Sequence, residues 1–198
     1  VCPVPDSGTP AAIGFAQQSG IPFEMGIVRN QYVGRTFIEP TAQIRDMGVR
    51  LKLNVNRSLM RGKRVVLVDD SVVRGTTSRK IKDMVLEAGA SEVHFRVASP
   101  PTMWPDFYGV DMPTRGELLA AQMSEEEMRA FVGVESLRFI SIDGLYRAVG
   151  EDMGRDENAP KYHDAVFTGD YPTPLTDQDI ARAEAAQLSL AIESQSET

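Results

Sequence analysis

The residues best suited to chemistry in this 198-residue chain stand together between positions 69 and 78. Two adjacent carboxylates, Asp69 and Asp70, are followed by a run of small and hydroxyl-bearing residues. Paired carboxylates accept hydrogen bonds from sugar hydroxyls or hold a hard cation such as Mg²⁺. Hydroxyls and closely approaching backbone amides bind phosphate. The pattern predicts a site for a phosphorylated sugar with its metal ion, and the residues predicted to surround the phosphate are Ser71, Val72, Val73, Arg74, Gly75, Thr76, Thr77 and Ser78.

A strand and a helix must hold this segment in place. The aliphatic run from Val65 to Val68 predicts a short strand buried on both faces, as in a parallel sheet. Apolar residues at helical spacing then predict a helix that stops at Gly89. Ligands of α/β sheets bind at the carboxyl ends of the strands, where helix N-termini attract anions. A simple turn and helix cap is the alternative explanation of Asp-Asp-Ser taken alone.

The N-terminal segment repeats this arrangement. Residues 1–4 predict a strand, and a helix is expected from Pro10 to Gln18. The loop between them contains Asp6, Ser7 and Gly8. Two such loops on adjacent strands would hold two phosphate groups at opposite ends of one ligand, although Asp-Ser-Gly by itself is also a common turn.

Composition limits the class of protein. A hydrophobic content of 42% and a charged content of 25% are ordinary for a soluble globular domain. No apolar run has membrane-spanning length and no signal peptide is visible, so a cytoplasmic enzyme is expected. The net charge of -7 argues against a nucleic-acid binder, but 13 of the 21 Lys and Arg residues lie between positions 29 and 82, which suits a small polyanionic substrate. The single cysteine, Cys2, is expected to be a core residue.

The segment from Val65 to Ser78 resembles the phosphoribosyl pyrophosphate (PRPP) signature of the type I phosphoribosyltransferases, in the form typical of the glutamine PRPP amidotransferase family. The resemblance covers about residues 1–175. It implies an α/β fold, with a mainly parallel sheet flanked by helices and a C-terminal helical or irregular extension. The implied reaction is that of an amidophosphoribosyltransferase, the first step of de novo purine biosynthesis, in which PRPP and ammonia give 5-phosphoribosylamine and pyrophosphate.

The resemblance also implies roles for individual residues. The Pro-Asp-Ser segment at positions 5–7 resembles the pyrophosphate loop of the family, and Ser7, Asp69 and Asp70 match positions that bind Mg²⁺. The segment from Arg29 to Pro40 resembles the flexible catalytic loop, although the family pattern has Lys and Arg where this chain has Arg29 and Gln31. Together with a lysine after the loop, its cations would neutralise the leaving pyrophosphate, and the implied catalytic residues are Arg29, Tyr32, Arg35 and Lys52.

Other expectations follow from the same resemblance. Purine nucleotides are expected as feedback ligands and a homo-oligomer as the assembly, with no nucleic-acid or membrane partner. No iron-sulfur cluster is expected, because Asp106 stands at one family cysteine position. Family members carry an N-terminal glutamine-hydrolysing domain, whereas this chain starts at the first phosphate-loop strand; it is therefore expected to use ammonia and not glutamine.

Sequence patterns divide the chain into two regions and predict the remaining helices and strands. Residues 1–150 are expected to form the catalytic core, and residues 151–198 an extension with a flexible tail. A capping box at Ser124 and Glu127 predicts a further helix start. The remaining predicted elements are strands at 23–28, 92–98 and 137–142 and helices at 41–53, 143–149 and 179–192.

Two other functions remain open from the sequence. One is a PRPP-sensing regulatory module without catalysis, since a known purine repressor resembles this fold. Salt-sensitive DNA binding would favour this function. A nucleobase phosphoribosyltransferase is the third possibility, and turnover with a purine or pyrimidine base would favour that one.

Overall fold

A computed structural model describes residues 1–31, 52–109 and 114–176 of the chain. Within these ranges helices and strands alternate along much of the chain. The strands are β1 (Cys2–Pro3), β2 (Ile27–Arg29), β3 (Leu53–Val55), β4 (Arg64–Asp69), β5 (Glu92–Val97) and β6 (Ser136–Phe139). The helices are α1 (Thr9–Ser19), α2 (Arg57–Met60), α3 (Thr76–Glu87), α4 (Leu119–Gln122), α5 (Glu125–Val132), α6 (Ile142–Ala148) and α7 (Ala165–Thr168), with a 3-10 turn at Arg115–Glu117.

The main sheet has the strand order β1-β4-β5-β6, and every neighbouring pair in it is parallel. Cys2 lies opposite Leu67 and Asp69 lies opposite Val97. Because the strands are parallel, their carboxyl ends meet at one edge of the sheet. The predicted α/β architecture with a mainly parallel sheet is therefore confirmed.

Strand β4 is covered on both faces, as its run of aliphatic residues predicts. Val65 and Leu67 belong to the larger core, which also contains Ile81 and Val85 of α3. Val68 points to the other face and packs with the alanines of α1. Two layers of helices thus fix the position of the strand that ends at Asp69. The lone Cys2 is a buried core residue of the neighbouring strand, as expected.

The helix boundaries follow the sequence signals closely. Helix α1 has Pro10 in its first turn, and it ends at Gly20, which has a left-handed backbone. Helix α3 ends before Gly89, whose φ is +100°. Helix α5 begins with the predicted capping box, in which the Ser124 hydroxyl accepts from the Glu127 backbone amide.

Three sequence predictions need correction. The strand predicted at 137–142 ends at Phe139, because Ser141 caps a helix that begins at Ile142. The strand predicted at 23–28 starts only at Ile27, and it pairs with β3 in a separate antiparallel sheet of two strands. Leu53, predicted as the end of a helix, lies in β3, where its side chain is buried and its backbone is opposite Arg29. Cross-strand pairing decides its conformation there. Residues 32–51 of the predicted loop and helix, and the predicted helix at 179–192, lie outside the described residues.

The chain after position 150 packs onto the sheet through the segment that follows β5. The backbone amide of Met103 donates to the carbonyl of Val166, over 2.9 Å. The hydroxyl of Tyr171 donates to the carbonyl of Pro105, over 2.7 Å. A domain boundary at residue 150 stays a prediction. None of the helices in the described ranges is long and apolar enough to cross a bilayer.

Candidate functional site

The two predicted phosphate loops follow adjacent strands and touch each other. The backbone amide of Val4 donates to the carbonyl of Val68, over 2.8 Å. Gly8 then lies so close that a β-carbon on it would stand 2.4 Å from the Val68 carbonyl oxygen and 3.1 Å from the Asp69 α-carbon. Only glycine permits this approach of two backbones. The Asp6-Ser7-Gly8 loop, which begins with a cis peptide bond between Pro5 and Asp6, is therefore held beside the Asp69-Asp70 pair.

Both loops lead into helices without a side-chain cap. Gly8 is the N-cap residue of α1 and Gly75 that of α3, and neither helix has a side-chain hydrogen bond at its cap. The first amides of a helix have no intrahelical acceptor and carry the positive end of the helix dipole. Since β1 and β4 are parallel neighbours, both N-termini lie at the carboxyl edge of the sheet, that of α1 on one face and that of α3 on the other. This edge can bind two anionic groups.

Between the two helix starts lie the two carboxylates. Asp69 is the last residue of β4 and is buried, whereas Asp70 is exposed. The amide of Asp70 donates to Asp69 Oδ1 over 3.0 Å, and the amide of Ser71 donates to Asp70 Oδ1 over 2.8 Å. Burial, and after it the negative charge of Asp70, raises the pKa of Asp69 to about 8. In the described part of the chain, neither carboxylate forms an ion pair with Lys or Arg.

The chemistry of these two carboxylates suits a magnesium ion. Hard divalent cations prefer carboxylate oxygens, and a buried carboxylate next to a second one is stabilised in its charged form by a cation. Mg²⁺ is commonly held by one or two carboxylates, with substrate phosphates and water as the other ligands. The described residues contain no cluster of three or more His, Cys, Asp and Glu side chains arranged for a metal. A site completed by a bound phosphate is consistent with both observations.

A third segment reaches the same edge through Arg29. Arg29 is the last residue of β2, and its Nη1 lies 2.9 Å from Asp6 Oδ2 in an exposed ion pair. The antiparallel pairing of β2 with β3 fixes the direction in which the chain leaves β2. The predicted catalytic residue Arg29 is therefore beside the predicted pyrophosphate loop. Lys52 precedes β3, and its carbonyl accepts from the Asn30 amide over 2.6 Å. The predicted Tyr32 and Arg35 lie outside the described residues.

The phosphate loop ends earlier than the sequence predicts. Helix α3 starts at Thr76, so Thr76, Thr77 and Ser78 form its first turn and the loop itself spans residues 70–75. Of the hydroxyl-bearing residues, Thr76 and Thr77 are exposed, Ser71 is half-buried and Ser78 is buried. Val72 is buried in the core and anchors the loop.

A segment far away in sequence supports this loop. The amide of Leu119, at the start of α4, donates to the carbonyl of Val73 over 2.9 Å. A β-carbon on Gly75, whose φ is +71°, would stand 2.6 Å from Leu119 Cδ2. Arg74 donates from Nε and Nη2 to Glu117 Oε1, over 3.0 and 2.8 Å. Sequence reasoning missed Glu117, and the only local signal for it is the Thr-x-x-Glu capping box that starts at Thr114.

Comparisons with known proteins agree with this geometry. The chain is 62% identical over 182 residues to the amidophosphoribosyltransferase of Rhizobium etli, a match that covers 90% of this chain and 36% of that protein. It is 50% identical over 182 residues to the chloroplastic amidophosphoribosyltransferase 1 of Arabidopsis thaliana, covering 92% of this chain and 31% of the relative. The chain thus spans about a third of the length of these curated relatives. No protein-family model matches it.

Solved structures show the same similarity. The glutamine PRPP amidotransferase of Bacillus subtilis, solved as a complex with ADP and GMP, superimposes with a TM-score of 0.74 at 48% sequence identity. The superposition covers 89% of this chain and 38% of that one. A second structure, described as the allosteric regulatory enzyme of purine biosynthesis, matches with the same TM-score and identity. The predicted type I phosphoribosyltransferase fold is confirmed.

Proposed function

This chain is related to the amidophosphoribosyltransferases and matches their phosphoribosyltransferase portion, and from that premise we propose that it binds PRPP and transfers the phosphoribosyl group to ammonia. The products are 5-phosphoribosylamine and pyrophosphate. In the relatives' pathway this transfer is the first step of de novo purine biosynthesis.

One observation carries the proposal. Two helix N-termini without side-chain caps follow adjacent parallel strands, and the Asp69-Asp70 pair stands at the end of one of these strands, beside the Gly8 N-cap of the other helix. PRPP has the matching chemistry, because it carries a phosphate at one end, a pyrophosphate at the other and a ribose with free hydroxyls between. In this assignment the amides of the α3 N-terminus bind the 5-phosphate, and those of the α1 N-terminus bind the pyrophosphate.

In this assignment the two carboxylates bind the middle of the substrate. Asp70 is exposed and accepts hydrogen bonds from the ribose hydroxyls. Asp69 and Asp70, with the exposed hydroxyl of Ser7, would hold Mg²⁺, which would supply positive charge next to the pyrophosphate oxygens. Asp69 is held rigidly by its place at the end of β4, so the sugar is fixed relative to both phosphate loops.

Departure of pyrophosphate leaves positive charge on the anomeric carbon and adds negative charge to the leaving group. Arg29, at the end of β2, forms an ion pair with Asp6 of the pyrophosphate loop, and its guanidinium stabilises that leaving group. The transfer needs no side-chain nucleophile, because ammonia attacks the anomeric carbon directly. The positioning of donor and acceptor then provides most of the catalysis.

The proposal extends to ligands and partners. The Bacillus subtilis relative was solved with ADP and GMP, which supports purine nucleotides as additional ligands of this chain. A cytoplasmic location and a homo-oligomeric assembly belong to the same proposal. Ammonia is the nitrogen donor proposed for this chain, and glutamine is its source in the full-length family.

Pyrophosphate release tests the function. The full chain is incubated with PRPP and Mg²⁺, and then with ammonium, glutamine, adenine or uracil in separate reactions. Release that requires ammonium supports the proposal. Release only with a nucleobase would establish a nucleobase phosphoribosyltransferase. Binding of PRPP without release in any reaction, together with salt-sensitive DNA binding, would establish a regulatory module.

A further inference from the structure

We propose that Glu117 is a positioning residue for the phosphate loop, and that the side chain of Arg74 is its tether and not a ligand of the substrate phosphate. The inference rests on the proposed function for the identity of the ligand. The position of Arg74 in the loop predicts that its side chain contacts the substrate. The inference gives that side chain a different role.

The two oxygens of Glu117 are committed to different partners. Oε1 accepts both hydrogen bonds from Arg74, whereas Oε2 accepts from the backbone amide and the hydroxyl of Thr114, over 3.1 and 3.3 Å. Thr114 is itself buried. Glu117 therefore links the tip of the loop to a fixed point in the protein interior.

The tether lies next to two other contacts between the same segments. The Leu119 amide is bonded to the Val73 carbonyl, and the side chains of Leu119 and Phe131 leave no room for a β-carbon at Gly75. Three consecutive residues of the loop, 73 to 75, are thus held by residues 117 to 131. A loop fixed at three successive positions presents its amides in one conformation, which lowers the entropy lost on binding an anion.

The guanidinium of Arg74 is engaged by this contact. Its Nε and Nη2 both bond to a carboxylate, so its charge is balanced before any ligand arrives. The Glu117 side chain is 26% exposed, against 56% for Arg74, so the acceptor is the better shielded partner. The 5-phosphate would then bind through backbone amides and hydroxyls of residues 71–77, with Arg74 acting through the loop conformation.

A double-mutant cycle measures this coupling. Arg74→Ala, Glu117→Ala, the double variant and the charge exchange Arg74→Glu with Glu117→Arg are compared in the full chain. Ribose 5-phosphate is the probe of the phosphate loop, and pyrophosphate is the probe of the other loop. Each single change is expected to raise the Kd for ribose 5-phosphate about five- to tenfold and to leave the Kd for pyrophosphate unchanged. The double variant is expected to be no weaker than the singles, and the exchange to recover most of the affinity.

The matched control is an arginine–glutamate pair at the opposite edge of the sheet. Arg64 Nε lies 2.6 Å from Glu92 Oε2, in an exposed pair that bridges the starts of β4 and β5. Glu92→Gln changes the same charge, and it is expected to alter neither Kd. If Glu117→Ala does not fold, Glu117→Gln keeps an acceptor for Thr114 but loses the ion pair, and it gives the same comparison.

Two results would overturn the proposal. A loss of affinity in Arg74→Ala of about a hundredfold or more, with little change in Glu117→Ala, would mean that the guanidinium binds the phosphate directly. Losses that multiply in the double variant would mean that the two residues act independently. If the wild-type chain binds neither probe, the proposed function fails instead. Amide hydrogen exchange then tests the tether alone, since the Leu119 amide, which donates to the Val73 carbonyl, should exchange faster in both single variants, and unchanged exchange would contradict it.

Discussion

The α-carbon of Gly8 packs directly against the backbone of Val68, so closely that a β-carbon there would stand 2.4 Å from the Val68 carbonyl oxygen. This contact joins the proposed pyrophosphate loop, residues 6–8, to the end of the strand that carries the paired aspartates. The relative position of the two predicted anion sites depends on the absence of a side chain at residue 8.

Gly8→Ala tests that dependence. The added methyl group must displace backbone and not a flexible side chain, so we expect a loss of about 3 kcal/mol in the free energy of unfolding, or about 6–12 °C in Tm. The control is Gly14→Ala in α1, where a β-carbon meets nothing within 4 Å. It should raise stability slightly through helix propensity. An unchanged Tm in Gly8→Ala, measured by thermal unfolding, would show that the two loops are not held together as described.

Asp69→Asn separates function from stability. The substitution is nearly isosteric and removes a buried carboxyl group whose pKa burial and the charge of Asp70 raise to about 8, so folding at neutral pH no longer has to protonate it. We therefore expect the free energy of unfolding at neutral pH to stay the same or to rise. The affinity for PRPP in the presence of Mg²⁺ should fall at least tenfold, because a cation ligand is lost. Calorimetric titration and denaturant unfolding of the same sample measure both quantities. A destabilised variant that retains full affinity would contradict the assignment of Asp69 to the site.

Arg29→Gln removes the cation beside the pyrophosphate loop. The ion pair with Asp6 is exposed, with side chains 41% and 61% accessible, and so it contributes little to stability. We expect a change in Tm of about 2 °C or less and an increase in the Kd for pyrophosphate of about tenfold. Arg64→Gln, in the exposed pair at the other edge of the sheet, should change neither value. Equal pyrophosphate binding by the wild type and Arg29→Gln would exclude Arg29 from this role.

Asp164 is expected to make the free energy of unfolding depend on pH. It is buried where α7 begins and accepts from Arg155 Nε, the Tyr146 hydroxyl and the Thr168 hydroxyl. Burial alone would raise its pKa, but these hydrogen bonds and the charge of Arg155 outweigh burial and lower it.

A carboxylate with a lowered pKa stabilises the fold above its unfolded-state pKa, and this contribution is lost as the pH falls through the folded-state pKa. Asp164→Asn should therefore cost about 3 kcal/mol at pH 7, and the difference from wild type should shrink below about pH 4. Denaturant unfolding at pH 7 and pH 3 measures it, with the exposed Asp152→Asn as the control. A difference that is constant with pH would contradict the ion-pair explanation.

The sequence predicts the elements whose signals are local. The aliphatic run of β4 and the helical spacing of α3 identify the strand and helix that carry the Asp69-Asp70 pair, and Gly89 identifies the end of that helix. Strand β3 was missed because three residues are too few to show a period, and it exists through its pairing with β2.

No local signal predicts which residues meet to complete the site. Arg29 and Asp6 are 23 residues apart, and Arg74 and Glu117 are 43 apart. Each pair is brought together by the order of strands and by packing of the intervening helices, which no pattern of residue types specifies. The sequence indicates that Asp6, Arg29 and Arg74 belong to the site, but it does not indicate which residues they contact.

Titration of the full chain with PRPP, with Mg²⁺ and then with EDTA in its place, shows whether the chain binds PRPP together with a metal ion held by the paired aspartates. We expect one PRPP site per chain, with at least tenfold tighter binding in Mg²⁺ than in EDTA. Ribose 5-phosphate and pyrophosphate should each compete with PRPP. An absence of PRPP binding in both conditions, or binding that persists unchanged when Asp69 and Asp70 are both replaced by Asn, would contradict this expectation.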